Sequence, residues 1–304
     1  MTAHRRYAFR AFGAILLVCV LAVAVGGGCA KRKTAETPSL SDAAAESSFA
    51  LKEGSSFIIQ QTGVAFEGKF DVVVPTHNQR RIVLTSYQPN VSASVAWDLI
   101  QLVLTDEARA ALKAYEDGGR NGEPPKPEYG QLMESGTVSE IGLKSTHDVA
   151  LPAEWQLGDA ADRSSALFVG SDVYQELSRT RYSTVRVDVV GAARKAVGID
   201  ADMNALITAI SDRAKSLDGK TDVDLMKAEE GRIDYSVKMN GVETTVKAIQ
   251  ARNWYGEMIV LDDARHPLIL AFAFDPDLSG IQVAEEDVNA LKGLLSYRVA
   301  EINP

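Results

Sequence analysis

Short runs rich in Val, Ile, Phe and Tyr, alternating with polar residues, recur along most of the chain. Residues 57–61, 66–74 and 81–87 are such runs, separated by Gly, Pro and Asn as antiparallel strands are. Residues 91–103 alternate through Val91, Ala93, Val95, Trp97 and Leu99, which favours a strand over the helical spacing of Trp97, Ile100, Val103 and Leu104. Further strands are predicted over residues 166–169, 182–190, 256–261, 266–274 and 297–302. Residues 232–239 and 242–252 flank Asn240-Gly241, a dipeptide that supplies the positive φ angles of a tight type I′ turn, so they predict a hairpin.

Helices are fewer. Thr105 followed by Asp106 and Glu107 marks a helix start, a capping hydroxyl with two acids at the positive end of the dipole, and Gly118-Gly119 ends it near Asp117. Residues 120–127, with Gly122, Pro124, Pro125 and Pro127, read as a surface loop. Ser171 is expected to cap a short helix reaching residue 178. Met203, Leu206, Ile207, Ile210, Ala214 and Leu217 recur at three- and four-residue steps and predict an amphipathic helix over 202–217, stopped by Gly219. A last helix is expected over 284–295. Helices inserted between antiparallel runs, without regular alternation, define an α+β fold of mostly antiparallel strands. Small polar residues at 158–165 suggest two sub-domains, a β-rich one with a single helix at 54–158 and an α+β one at 159–304.

The first residues follow a different pattern. Arg5, Arg6 and Arg10, with no acid nearby, precede an apolar run over residues 14–25 and the step Gly26-Gly27-Gly28, the order an export signal needs. With Cys29 closing that step, the segment resembles the signal of bacterial lipoproteins. The resemblance implies a signal peptide over residues 1–28, cleavage between Gly28 and Cys29, and a covalent lipid on Cys29 as the first mature residue. It departs from the family in having Gly26 three positions before the cysteine, where a branched apolar residue is usual. Two other outcomes fit the residues: cleavage after Ala30 at the small-x-small site Gly28-Cys29-Ala30, and an uncleaved span over 11–30, for which four glycines are unfavourable. Residues 29–53 are polar and small, with a basic cluster at Lys31, Arg32 and Lys33, and read as a tether beside anionic headgroups. Ala30, in place of Asp after the cysteine, resembles lipoproteins sent to the outer membrane in preference to the inner one.

Charge and cysteine content narrow the function classes. The net charge is −9, and loss of residues 1–28 removes three of 32 basic residues and none of 41 acidic ones, leaving −12. A domain this acidic is a poor partner for nucleic acid phosphates. Cys19 and Cys29 are the two cysteines, so residues 50–304 hold no disulfide, thiolate metal site or cysteine nucleophile.

Among motifs, Asp275-Pro276-Asp277-Leu278-Ser279-Gly280 with Glu286 places oxygens at loop positions one, three, five and twelve and Gly at six. This resembles a calcium loop of the EF-hand type, which implies calcium held by Asp275, Asp277, Ser279 and Glu286. It departs from that family in following a predicted strand and in having Gln282 at a usually apolar position. The competing reading is a strand-to-helix connection, with Glu285 and Glu286 complementing the helix dipole. His77, His147 and His266 are dispersed and form no metal motif. Gly170-Ser171 lacks the Gly-x-Ser-x-Gly of a nucleophile elbow. Trp254-Tyr255 beside Arg252 is either a recognition spot or a strand-end packing pair. With no catalytic motif, the expectation is a membrane-anchored envelope lipoprotein that binds or assembles with an envelope protein without catalysis. The alternative is an envelope hydrolase whose site unites dispersed carboxylates with a histidine.

Overall fold

Alternation in the sequence becomes strand pairing in a computed structural model that describes residues 50–61, 79–152, 165–192, 201–217, 224–278 and 285–304. Gly28, Cys29, the predicted strand at 66–74, His77, Gly219 and Ser279 lie outside the described residues. Four strands come first: β1 (Ser56–Gln61), β2 (Gln79–Gln88), β3 (Ser92–Leu104) and, after the helix α1 (Asp106–Asp117), β4 (Tyr129–Gly142). Antiparallel pairing joins β1 to β2, β2 to β3 and β3 to β4. The run at 91–103 is thus strand from Ser92 onward, and Thr105 caps α1 as expected, its Oγ1 accepting from the Ala108 N–H at 3.2 Å.

The later strands are β5 (Asp148–Val149), β6 (Tyr182–Thr184), β7 (Arg186–Val187), β8 (Leu225–Ala228), β9 (Ile233–Met239), β10 (Val242–Arg252), β11 (Gly256–Leu261), β12 (Ile269–Phe274) and β13 (Tyr297–Asn303). Helices α2 (Ser171–Arg179), α3 (Ala201–Leu217) and α4 (Glu285–Leu295) are inserted among them. The predicted hairpin is β9–β10, with φ of 50° at Asn240 and 79° at Gly241. The path closes at β13, which pairs with β12 at Tyr297 and Arg298 and, further along and in parallel, with β9 at Glu301 and Ile302. Hence β9, β10, β11, β12 and β13 return on themselves in a barrel-like ring. The fold is α+β and dominated by sheet.

That sheet crosses the expected division at 158/159. β1 lies antiparallel along β13, and one core cluster draws on both stretches, from Phe57, Ile82 and Trp97 to Phe272 and Tyr297. The described residues all fall within one compact unit. Phe272 stacks on Tyr297 and lies tilted against Tyr255, with centroids 6.2 and 6.4 Å apart, and each buried phenol finds an acceptor. Tyr255 donates to the Val185 carbonyl and Tyr297 to that of Ala166, both at 2.7 Å, so neither hydroxyl is desolvated without a partner.

Three details differ from the sequence expectations. Ser171 is the first residue of α2, not its cap: Gly170 holds that position, and no side chain caps the helix. Residues 182–190 divide into β6, β7 and the start of a helical turn, because the run pairs with two different neighbours, β8 and β5. Residues 166–169 make only an isolated bridge, Phe168 to Leu268.

Candidate binding groove

Because strand neighbours place one residue beside another across a sheet, the ladders fix which side chains share a face. On the inner face, Val299, Ile59, Arg80, Leu99 and Glu134 form one cross-strand row. Arg80 is 2% exposed; it donates to the Pro152 carbonyl and lies 4.9 Å from the Trp97 ring. Burial lowers its pKa to about 10, against the raising influence of Glu134. The Trp97 ring in turn covers Gly136, where an added Cβ would stand 2.7 Å from it.

The outer-face row is Arg298, Gln60, Gln79, Ile100 and Met133. At its Arg298 end a groove of about 570 Å³ opens between β9 and β13. β1 and β2 supply Ile58, Gln60 and Gln79 to its lining, β9 supplies residues 235–238, β10 supplies Glu243, and β13 supplies residues 298–301. Its shape follows from a local irregularity. The β1–β13 register slips between Ile58 and Ile59, which leaves Ala300 as an extra residue on β13. A bulge bends the strand that carries it. On the far side of that bend the described pairing of β13 with β9 is Glu301 with Lys238 and Ile302 with Met239.

The groove is polar and balanced in charge. Arg298 Nη2 donates to Gln60 Oε1 at 3.0 Å, and Ser236 Oγ donates to Glu243 Oε2 at 2.8 Å. Lys238 and Glu301 sit opposite each other in the β9–β13 pairing. Tyr235 is half-buried, and desolvation raises its phenol pKa while Arg298 pulls it down. None of these residues stood out in the sequence, and the one local signal was the Asn240-Gly241 turn that orients β9.

The residues singled out by sequence are placed elsewhere. Asp275 forms an ion pair with Lys292, and Asp277 Oδ2 lies 3.1 Å from Arg213 Nη2. Both backbone N–H groups donate to the start of β11, to the carbonyls of Tyr255 and Trp254 at 2.9 and 2.7 Å. Glu286 is in the first turn of α4. Two of the proposed calcium ligands thus face cations, and residues 279–284, between them and α4, lie outside the described residues. Among the described residues no three His, Cys, Asp or Glu side chains converge as a metal group.

His266 is 2% exposed, in the turn between β11 and β12. Its Nδ1 is 2.7 Å from the Tyr87 hydroxyl, and Asp263 Oδ1 accepts from the His266 and Arg265 N–H groups. Burial lowers the His266 pKa, with Asp263 opposing and Arg265 adding to the shift. The neighbouring Asp262 is directed elsewhere, to the Tyr174 hydroxyl and the Arg232 guanidinium, each at 2.8 Å. His147 Nδ1 is 2.8 Å from the Thr184 carbonyl oxygen. Tyr255 is a core residue, with Trp254 edge-on to it at 5.6 Å, which is the packing alternative for that pair. Compared with known proteins, the chain matches no family model, no curated protein and no solved structure.

Proposed function

We propose that this chain is a lipid-anchored module of the bacterial cell envelope that binds a partner through the groove between β9 and β13. The anchor rests on the basic, apolar and small-residue order that ends at Cys29, and the outer-membrane preference rests on Ala30. The observation that carries the binding role is the groove itself. It is concave, opens at a bulge, and is lined by two amides, two hydroxyls and paired opposite charges. Such a surface offers many hydrogen bonds and little net charge, which suits recognition of a neutral polar ligand. The basic tether at Lys31, Arg32 and Lys33 would keep the module at an anionic membrane surface.

The alternative, a hydrolase built on a histidine and dispersed carboxylates, draws on the Asp263, His266 and Tyr87 cluster. Asp263 and His266 are buried, Tyr87 is half-buried, and the cluster shares no residue with the groove, which favours binding. Intact-mass analysis of protein extracted from bacterial membranes, beside a Cys29→Ala variant, tests the anchor. A mature chain beginning at Cys29 with acyl chains, absent in the variant, is the expected result. A chain beginning at Lys31 would replace the anchored reading with a soluble exported one.

A further inference from the structure

The strand ladders fix which ends and turns lie together. β1 begins at Ser56, which is paired with Asn303 at the close of β13 and with Val83 of β2. β2 continues past that level to Gln88, and Pro89, Asn90 and Val91 turn it into β3. On the other side of β13, the Ile302 carbonyl accepts from the Asn240 N–H at 3.0 Å, which sets the β9–β10 turn at the same end. The chain also enters the fold there. Leu51 is buried in the main core, the Lys52 N–H donates to Ser55 Oγ at 2.9 Å, and the Gly54 N–H donates to the Leu84 carbonyl at 2.9 Å. Ala50, which is exposed, therefore joins the segment that carries Cys29 to a fixed point at this end.

Val91 and Val242 stand at those two turns and are 58% and 66% exposed. A lone exposed valine is ordinary. These two share an end with the entry point of the chain, and their turns are uncharged: residues 86–97 and 239–242 hold no Asp, Glu, Lys or Arg. We propose that this end rests on the membrane surface, with Val91 and Val242 entering the boundary between headgroups and acyl chains. The inference rests on the lipid anchor proposed above and gives the anchored module an orientation. About twenty residues separate Cys29 from Ala50, and a linker of that length holds a second contact at roughly millimolar effective concentration. A contact too weak to recruit a free protein is then populated in the tethered one. Uncharged turns enter the boundary without stripping water from an ion. Two valines bury far less than the about 800 Å² per partner of a stable protein interface, so a lipid surface fits them better than a protein does.

The cysteine content permits a direct test. With Cys19 removed and Cys29 acylated, one introduced cysteine is the sole free thiol of the mature chain. Val91→Cys, Val242→Cys and, as control, Met133→Cys are each labelled with an environment-sensitive nitrobenzoxadiazole dye. Met133 is 68% exposed and lies on the cross-strand row of Gln60, towards the other end of β1. The mature chain extracted from bacterial membranes is reconstituted in vesicles of phosphatidylethanolamine with some phosphatidylglycerol. The labels at 91 and 242 should be about twofold or more brighter than that at 133, and quenchers on the acyl chains just below the headgroups should remove about half of that gain. Should either valine variant misfold, Gln88→Cys and Glu243→Cys, exposed and beside the same turns, carry the labels instead. Labels at 91 and 242 no brighter than at 133 overturn the inference. So does brightening that the lipid-borne quencher leaves untouched, as in a contact between two copies of the chain. A chain that does not float with the vesicles, or that takes a second label at Cys29, refutes the anchor and this orientation with it; a chain that floats with dark labels refutes the orientation alone.

Discussion

The barrel and the wing formed by β2, β3 and β4 belong to one hydrogen-bonded sheet, yet they are buried very differently. In β11 and β12, Met258, Val260, Ile269, Leu270 and Phe272 are all at or below 1% exposure. Along the β3–β4 ladder the inner-face residues Val95, Trp97 and Leu99 are buried, whereas Ile100 and Met133, paired on the outer face, are 38% and 68% exposed. Among the described residues, the tip holds a small separate cluster of Leu104, Ala108 and Leu112 with Tyr129. Ladder pairing is thus continuous where burial is not. Since the net contribution of a hydrogen bond is modest and burial dominates, the tip should open locally while the barrel opens only with the whole fold.

The largest effect should come from the barrel. Phe272 is 1% exposed and packs between Tyr255 and Tyr297, so Phe272→Ala removes a fully buried ring from the core. The expected loss is about 3–5 kcal/mol in urea unfolding, with every probe reporting the same transition. A loss confined to amides of the barrel, with the wing unaffected, would show that the two are separate folding units.

How much of this contrast could be read from sequence depends on how local each signal is. The β9–β10 hairpin was legible because Asn240-Gly241 sets it alone, and α1 and α3 because capping and periodicity act within a few residues. β4 was not read: Gly130, Gly136 and runs such as Gln131 and Glu134-Ser135 have little strand preference, and the strand is held by β3 and by Trp97 lying on Gly136. β13 was read as a brief closing strand, whereas its pairing with β1, β9 and β12 makes it the centre of the sheet. The groove was invisible for the same reason. Gln60, Gln79, Ser236 and Arg298 meet only through topology, and no spacing between them carries the information.

A smaller effect is expected at the seam between wing and barrel, where Tyr87 of β2 stacks on Phe168 and meets His266. Burial holds the His266 pKa below its ordinary 6.5, with Asp263 opposing and Arg265 adding. The unfolded chain therefore binds a proton more readily than the folded one across the window just below pH 6.5. Stability from this site is complete above that window and is lost as pH falls through the folded pKa. Unfolding free energies measured between pH 7 and 5 should decline, and His266→Gln, which keeps a partner for Tyr87, should flatten the decline. An unchanged slope in that variant would assign the pH dependence to other groups and leave the seam electrostatically passive.

The smallest effect, and the most discriminating, is expected at the tip of the wing. Thr105 Oγ1 accepts from the Ala108 N–H at 3.2 Å, and the cluster that α1 builds with β3 and β4 is small. Thr105→Ala should weaken α1 by about 1 kcal/mol. If the tip opens on its own, that loss appears as roughly fivefold faster hydrogen exchange within α1. The global urea midpoint then stays where it is, because the state that unfolds has already lost the tip. A midpoint that falls by the full amount would mean that α1 unfolds with the barrel. The exposed Ile100–Met133 pair would then belong to the cooperative unit, and continuous pairing, not burial, would be setting its boundary.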